Sequence, residues 1–471
     1  MGQGKISEPF EKLVVGGILE NPTIGIVRDS LKGADDLYLV GGAVRDFVFG
    51  KPPCDLDFIS RTPCVAARAA AKSLNSRVFK LGKGRALIYR IPCEKGTIDF
   101  SSFREKSVSA NLAKRDFTID SMAVHIASMR IIGAEGAAED ILGKTLRMAG
   151  PSSLSDDPLR IVKAYRMRAA FPELSWDEKT RASCRALARK ESGVPLESVQ
   201  AEISRMLSAG RAARAVREMA EDKVLFEVFP GLEKIVELEQ SPPHRADVFS
   251  HTLEMMDLLD GSLAREGDRT AGLSPEDLLK LRLSILFHDS GKAACFSREG
   301  NRIRFLGHEK LSSSIARDCL SRLRFSNALA ADVASLCALH MRPILLHHDA
   351  HSSLPGMRRL IRDAGMNTRL LFRLADLDFR SMDRKPGEAE SFKAMCEQML
   401  DLYEKEGLKI TAPPKLIDGL KAMSVLGLDK PGPELGKALI ALSDAQTDGE
   451  VTTSKEAVRF LKDYRERLLK S

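Results

Sequence analysis

Tyr38–Ser60 reads YLVGGAVRDFVFGKPPCDLDFIS. One apolar strand-type run, Leu37–Val40, breaks at Gly41 and Gly42, and a second, Leu56–Ile59, carries a D-x-D pair. Side chains on a strand alternate faces, so Asp55 and Asp57 point the same way with Leu56 opposite. Like charges that close repel unless a cation sits between them. Mg2+ suits such a pair, because it takes hard oxygen ligands and keeps open positions for phosphates. Glycines after a strand let backbone N–H groups approach a phosphate chain closely. Arg45 and Asp46 are expected to open the next helix, whose N-terminus favours anions. The stretch thus predicts a site in which Gly41, Gly42 and Arg45 receive a triphosphate. Asp99, in TIDF on a later strand, is the expected third carboxylate, and two cations held there would serve an in-line phosphoryl displacement.

Outward from this stretch the chain changes character once. Residues 1 to about 35 have helical periodicity, and strand and turn signals then dominate to about Ile132. LYLV, LDFI, ALIYRI and TIDF are short strand-type runs, broken at GGAV, GKPP and GKG, with ARAAAKSL a helix between them. From Pro151 onward, stretches such as DPLRIVKAYRMRAAF and VQAEISRMLSAGRAARAVREMAEDKVLFEVF repeat apolar residues at helical spacing. Loops are expected at Gln240–Arg245, Leu408–Pro414 and Asp429–Pro433. The expected fold class is α+β, a head with a small mixed sheet and helices, followed by a long all-α body.

Composition narrows the functions. At 471 residues the chain exceeds the reach of one core, so several domains are expected. A 44% hydrophobic and 29% charged composition is that of a folded protein. With one Trp and five Tyr, a recognition surface built on base stacking is not expected. The formal charge of +7 is compatible with a phosphate-rich partner. Eight scattered Cys, without a C-x-x-C pair, read as reduced thiols. The opening residues lack the apolar core of a secretion signal, and no apolar run approaches the roughly 20 residues that span a membrane. A cytoplasmic chain with no membrane partner is expected, and nothing fixes its oligomeric state.

The order G-G-x-V-R-D, then D-x-D-F, resembles the signature of polymerase-β-like nucleotidyltransferases. More specifically it is similar to bacterial tRNA nucleotidyltransferases (CCA-adding enzymes) and bacterial poly(A) polymerases. KRDFTIDSMA, Lys114–Ala123, resembles that family's R-R-D-F-T-I-N-A-M-A, with Lys114 in place of the first Arg and Asp120 in place of Asn. The resemblance implies that Arg115 and Asp116 serve the ribose side. Asp156-Asp157-Pro158-Leu159-Arg160 resembles the helix start in which the equivalents of Asp157 and Arg160 bond the base edges of CTP and ATP. Asp140-Ile141 and Leu146-Arg147 partly resemble the block joining head to neck. Pro195–Val199 with Glu202 resembles a neck block but lacks its Arg, and is assigned structure alone.

Eight of the nine His fall between His244 and His351. His251, His288-Asp289, His308, His340 and a late Asp form an ordered set on expected helices, with imidazole and carboxylate donors suited to one or two divalent metals. The adjacent H-D pair at the end of an apolar helix resembles the HD superfamily of metal-dependent phosphohydrolases. Asp378 fits the last ligand best, with Asp376 its close rival. His347, His348 and His351 are expected in an exposed loop.

The resemblance implies template-independent addition of CMP and AMP, from CTP and ATP, to the 3′ end of tRNA. It implies Mg2+ at Asp55 and Asp57, with Asp99 assisting, and a second divalent metal (Mg, Mn, Ni or Zn) at the HD site. Poly(A) synthesis, A-only or CC-only addition, and phosphatase or 2′,3′-cyclic phosphodiesterase activity at the HD site are the alternatives. The expected domains are a head at 1–150, a neck at 151–235, an HD domain at 236–385 and a tRNA-binding tail at 386–471. Lys163, Arg166, Lys421 and Lys437 are the expected RNA contacts, and the turn Gly432–Gly436 would start a helix able to hold a phosphate.

Overall fold

The computed structural model describes residues 8–31, 36–84, 87–94, 96–103, 105–264, 272–348 and 354–470. The chain divides into two compact units, Met1–Glu202 with Glu218–Glu227, and Ile203–Arg217 with Val228–Ser471.

The first unit opens with helices α1 (Glu8–Glu20) and α2 (Pro22–Ser30), the latter capped by Asn21, which accepts from Ile24 N. Then follow β1 (Tyr38–Val40), α3 (Gly42–Val48), β2 (Leu56–Ser60), α4 (Pro63–Ser73), β3 (Phe79–Leu81), β4 (Ile88–Cys93) and β5 (Gly96–Ser102). After α5 (Val108–Leu112), strands β6 (Met122–His125) and β7 (Ile131–Gly133) complete a seven-stranded sheet in the order β3-β4-β5-β2-β1-β6-β7. The sheet is mixed as expected, for β2 and β5 run parallel while the other neighbouring pairs are antiparallel. Alternation divides its faces. Phe58 and Phe100, in register, stack at 5.2 Å on the face opposite to Asp57 and Asp99. Helix α4 packs on β4 and β5, with Ala66, Ala67, Ala70 and Ala71 buried, small side chains that allow close approach.

The remainder of this unit is helical apart from the short strands β8 (Thr145–Leu146) and β9 (Ser175–Trp176). Its helices are α6 (Ala137–Leu142), α7 (Ser153–Asp156), α8 (Leu159–Ala170), α9 (Glu178–Leu187) and the first part of α10 (Leu196–Leu207). Helix α8 is the expected DPLRIVKAYRMRAA helix. Its Arg168 side chain is fully buried and pairs twice with Glu218, at 2.5 and 2.9 Å, while Trp176 Nε1 donates to the same carboxylate. Truncating one partner of a buried ion pair leaves the other charge poorly compensated. Arg168→Ala is therefore expected to destabilise this unit by about 3–5 kcal/mol, read as a shift of its urea unfolding midpoint.

The second unit is built from α13 (Val248–Leu263), α14 (Pro275–Phe287), α15 (His308–Arg322), α16 (Asn327–Leu339), α17 (Met341–His348), α18 (Leu354–Ala364) and α19 (Thr368–Arg380). Helix α11 (Ala213–Glu221) is divided between the two units and α12 (Val224–Val228) belongs to the first up to Glu227, while a hairpin of β10 (Ser297–Glu299) and β11 (Arg302–Arg304) interrupts the helices of the second. Helices α20 (Glu388–Thr411), α21 (Gly419–Leu426), α22 (Pro433–Asp448) and α23 (Ser454–Lys470) follow, the last three around their own core of Ala422, Leu435, Ala438, Leu442, Ala457 and Leu461.

Three expectations are corrected here. Helix α20 continues to Thr411, so the loop expected from Leu408 begins at Ala412. His347 and His348 lie on α17 and not in a loop, His347 half-buried edge-on against the stacked Phe379 and Phe392 and His348 exposed as expected, and His351 lies outside the described residues. Asn327–His348 is, by length and composition, apolar enough to cross a bilayer, although the sequence reading found no such run; half of its most apolar 18-residue window is buried.

Candidate active site and metal centre

In the head, β1 runs out at Val40 and Gly41 takes φ +74°, a conformation that side chains resist. A Cβ there would lie 3.1 Å from Arg115 Nη1 and 3.9 Å from Asp57 Oδ2. The glycine thus leaves room for a cation and a carboxylate to meet the turn. Asp57 faces Val40 across β1 and Asp99 across β5. Asp55 sits just before β2, where its Oδ1 accepts from Thr97 N and Thr97 Oγ1, each at 2.9 Å. Asp99 accepts from Arg90 Nε at 2.8 Å and Nη2 at 2.6 Å. The structure therefore brings all three expected carboxylates to one face of adjoining strands. Crowding shows in Asp57, whose pKa is pushed up by desolvation, with Asp99 and Asp55 adding and Arg115 opposing.

Arg45 is placed differently from expectation. Helix α3 already begins at Gly42, and the Arg45 guanidinium turns inward to Asp46 at 2.7 Å and Asp120 at 2.5 Å, over the Phe171 ring at 4.4 Å. Asp120, at the position where the resembled motif has Asn, supplies the charge that draws it in. The Asp120 carboxyl is held below its usual range, Arg45 and then Lys163 outweighing a burial that alone would raise it.

Arg115 and Asp116 lie near the expected base-reading helix. Arg160 Nε is 2.7 Å from Asp116, its Nη1 donates to Ser153 O and Oγ, and its Nη2 donates to Lys114 O. The guanidinium is thus committed to protein atoms. Asp157 is half-exposed, its Oδ1 accepting only from Leu159 N at 3.2 Å among the described residues. Two expected RNA contacts also turn inward. Lys163 pairs with Asp116, and Arg166 pairs with Glu202 at 2.5 Å. Opposite charges at 116 and 202, unknowable from spacing, hold both side chains. Lys421 and Lys437 are exposed on α21 and α22, and α22 starts within the Gly432–Gly436 turn as expected.

The HD set converges completely. Three buried groups, His251, His288 and Asp378, have ligand atoms within 4.8 Å of one another, as do Asp289, His308 and His340. His288 and His340 cap the C-termini of α14 and α16, His308 opens α15, and His251 and Asp378 project from α13 and α19. Asp376 is not part of the set, for it pairs with Arg373 and Arg380. Each of His288, His308 and His340 places Nδ1 at 2.7–2.8 Å from the carbonyl three residues earlier, of Ile285, Phe305 and Cys337. A carbonyl only accepts, so Nδ1 carries the hydrogen and Nε2 of the neutral ring presents a lone pair. His251 is oriented instead by Ser381 Oγ at 3.1 Å.

Those lone pairs meet carboxylate oxygens. His251 Nε2 lies 3.1 Å from Asp378, His288 Nε2 3.1 Å from Asp289 Oδ2, and His308 Nε2 3.2 Å from Asp289 Oδ1. Nε2 of His251 and of His288 is buried with no hydrogen-bond partner among the described residues. Lone pairs facing carboxylates in a buried centre need positive charge among them, a proton or a cation, and N/O donors suit a borderline divalent metal. Burial, helped by His288, pushes His340 down to about 3. Beside the centre opens a cavity of about 950 Å³ lined by Asp289, His308 and Asp378 and by Arg302, Arg304 and Arg384.

Sequence reasoning missed Arg90, Thr97, His244 and Lys292. Lys292, three residues after Asp289 in HDSGK, bonds Asp289 Oδ2 at 2.7 Å and Gln240 at 2.6 Å. Its spacing from the H-D pair was the available signal, whereas Arg90 and Thr97 depend on strand register.

Comparison with known proteins agrees with this geometry. Residues 37–147 match the family described as the poly A polymerase head domain, 173–236 a probable RNA and SrmB-binding site of polymerase A, and 248–376 the HD domain. A CC-adding tRNA nucleotidyltransferase of Thermus thermophilus is 32% identical, the match covering 91% of this chain and 94% of the relative. An A-adding tRNA nucleotidyltransferase of Deinococcus radiodurans is 30% identical, with 91% and 95% covered. Among solved structures, the Bacillus stearothermophilus CCA-adding enzyme in complex with CTP shares the fold at a TM-score of 0.65 and 18% identity, covering 97% of this chain and 99% of that one. Identity at 30% or above over nine-tenths of the length, together with both domain matches, settles the relationship: the chain belongs to the tRNA nucleotidyltransferase and poly(A) polymerase family, in the branch that carries an HD domain.

Proposed function

We propose that this chain adds nucleotides, without a template, to the 3′ end of tRNA, using CTP and ATP. The observation that carries the proposal is the convergence of Asp55, Asp57 and Asp99 beside the Gly41 turn in a chain of this family. Asp55 and Asp57 would hold Mg2+ with Asp99 assisting, and the cations would stabilise the attacking and leaving oxygens of an in-line displacement. Gly41 and Gly42 would face the triphosphate, with Arg115 the cation beside Gly41 and Arg45 the cation beside Gly42. Arg45 serves by fixing α3 against Asp120. Asp157, an acceptor, is available to an exocyclic amino group of cytosine or adenine, while Arg160 and Lys163 hold Asp116 in place. Lys421 and Lys437 would meet RNA phosphates. We assign the head to 1–150, the neck to 151–235, the HD domain to 236–385 and the tRNA-binding tail to 386–471, and place the protein in the cytoplasm.

Transcripts of tRNA ending before CCA, after CC and after CCA, each with CTP or ATP, test the proposal. Addition of C and then A to the first identifies full CCA synthesis. C addition alone, or A addition to the second alone, identifies a partial enzyme; long A tails on any RNA identify a poly(A) polymerase. No addition to any transcript sinks the reading.

A second activity is favoured by one observation, the buried donor set beside a cationic cavity. The HD residues would hold a divalent metal (Mg, Mn, Ni or Zn) for hydrolysis of phosphate esters, among which 2′,3′-cyclic phosphates are one class to assay.

Position 96 offers a check on the head. Gly96 has φ +152°, and a Cβ there would fall 1.9 Å from Cys54 O. Gly96→Ala must push Cys54 and Asp55 away from Thr97. It is expected to lower single-turnover addition by about 10–100-fold, the range seen when groups orienting metal ligands are lost, with an unchanged circular dichroism spectrum.

A further inference from the structure

We propose that Arg90 is a positioning residue for transfer, holding Asp99 so that its free lone pairs face Asp57. Arg90 lies on β4 directly opposite Asp99 on β5, and Asp99 is in turn opposite Asp57 on β2. The three side chains form one row across three strands. The guanidinium meets the carboxylate with two prongs, Nε to Oδ1 at 2.8 Å and Nη2 to Oδ2 at 2.6 Å. Such fork-to-fork pairs fix direction as well as distance. A carboxylate offers about four lone-pair sites, so two remain for a cation shared with Asp57.

The neighbouring carboxylates explain why this matters. Asp55 is already oriented by two donors from Thr97. Asp57 accepts no hydrogen bond among the described residues and faces Arg115. Asp99 would be free to swing away from its like-charged neighbours without Arg90. The Asp99 side chain is 13% exposed and that of Arg90 39%, so the cation stands on the outer side and the carboxylate on the inner. The role assigned to Arg90 is thus carried by its two-pronged bond to Asp99.

This rests on the transferase reading, and the experiment separates the two. Full-length wild type, Arg90→Gln and Arg90→Lys are compared in single-turnover addition to a tRNA transcript. They are also compared in Mg2+-dependent binding of α,β-methylene CTP, an analogue that cannot transfer its nucleotide. For Arg90→Gln, kcat is expected to fall about 10–100-fold and the Mg2+ needed for half-maximal analogue binding to rise about tenfold, with KM for CTP within about threefold. Arg90→Lys keeps the charge and loses the fork, so its Mg2+ requirement is expected to rise about threefold and its kcat to lie between the other two. A wild-type Mg2+ requirement in either variant overturns the proposal, as does a loss confined to KM. Should Arg90→Gln fail to melt as the wild type does, Arg90→Lys alone decides by the same criterion. A wild type that adds no nucleotide would instead sink the transferase reading.

Discussion

Asp57→Ala is expected to reduce single-turnover nucleotide addition by about 10³-fold or more, a loss of roughly 4 kcal/mol of transition-state stabilisation. Asp57 stands opposite Asp99 on one side and beside the Gly41 turn on the other, and among the described residues no other carboxylate occupies that register. Folding is expected to survive. Asp57 reaches solvent and accepts no hydrogen bond among the described residues, and its charge is disfavoured by the partial desolvation of the strand face it stands on and by Asp99 and Asp55, with Arg115 opposing. Removing it relieves repulsion, so the thermal midpoint should hold or rise slightly. Addition at a rate within tenfold of wild type, with an intact melting curve, would show that the cations are held elsewhere.

Asp289→Asn is expected to lower metal affinity of the second unit by at least about 100-fold, since Asp289 is itself a donor and even the groups that orient donors are worth 10–100-fold. Its Oδ1 faces His308 and His340 and its Oδ2 faces His288 and Lys292, so one neutralised carboxylate disturbs every member on its side of the centre. Asparagine keeps the volume, which separates loss of metal from loss of packing. Metal content after dialysis, by inductively coupled plasma mass spectrometry, should drop to background, and any phosphate-ester hydrolysis with it. Nucleotide addition should stay within about threefold, because the two sites share no residue and sites without shared partners act independently. Retained metal would reassign the donors, and lost addition would join the two activities.

Period and residue type alone made much of this legible. The D-x-D alternation placed Asp55 and Asp57 on one face, and the density and order of His placed the metal set on helices. Of Asp376 and Asp378 only one can face the centre, because residues two apart on a helix point about 200° from each other, and the pairing of Asp376 with Arg373 and Arg380 leaves Asp378. What the sequence could not supply was register and pairing. Arg45 was read as a phosphate ligand, yet Asp120, 75 residues away, draws it inward. Lys163 and Arg166 were read as RNA contacts by charge, yet Asp116 and Glu202 claim them. A basic residue at helical spacing reveals its charge and not its partner. Arg90 stayed invisible because its meaning depends on β4 lying beside β5.

The three imidazoles anchored on Ile285, Phe305 and Cys337 have a consequence for how the second unit can change over time. Their orientation is fixed by main-chain oxygens, which every residue type provides. Side chains at those three positions can therefore drift, within the limits of packing, without turning a ring. His251 has no such protection, since its anchor is a hydroxyl that one nucleotide substitution can remove. Decay of the metal centre in a lineage should therefore begin at Ser381, before any of the ligands themselves is lost.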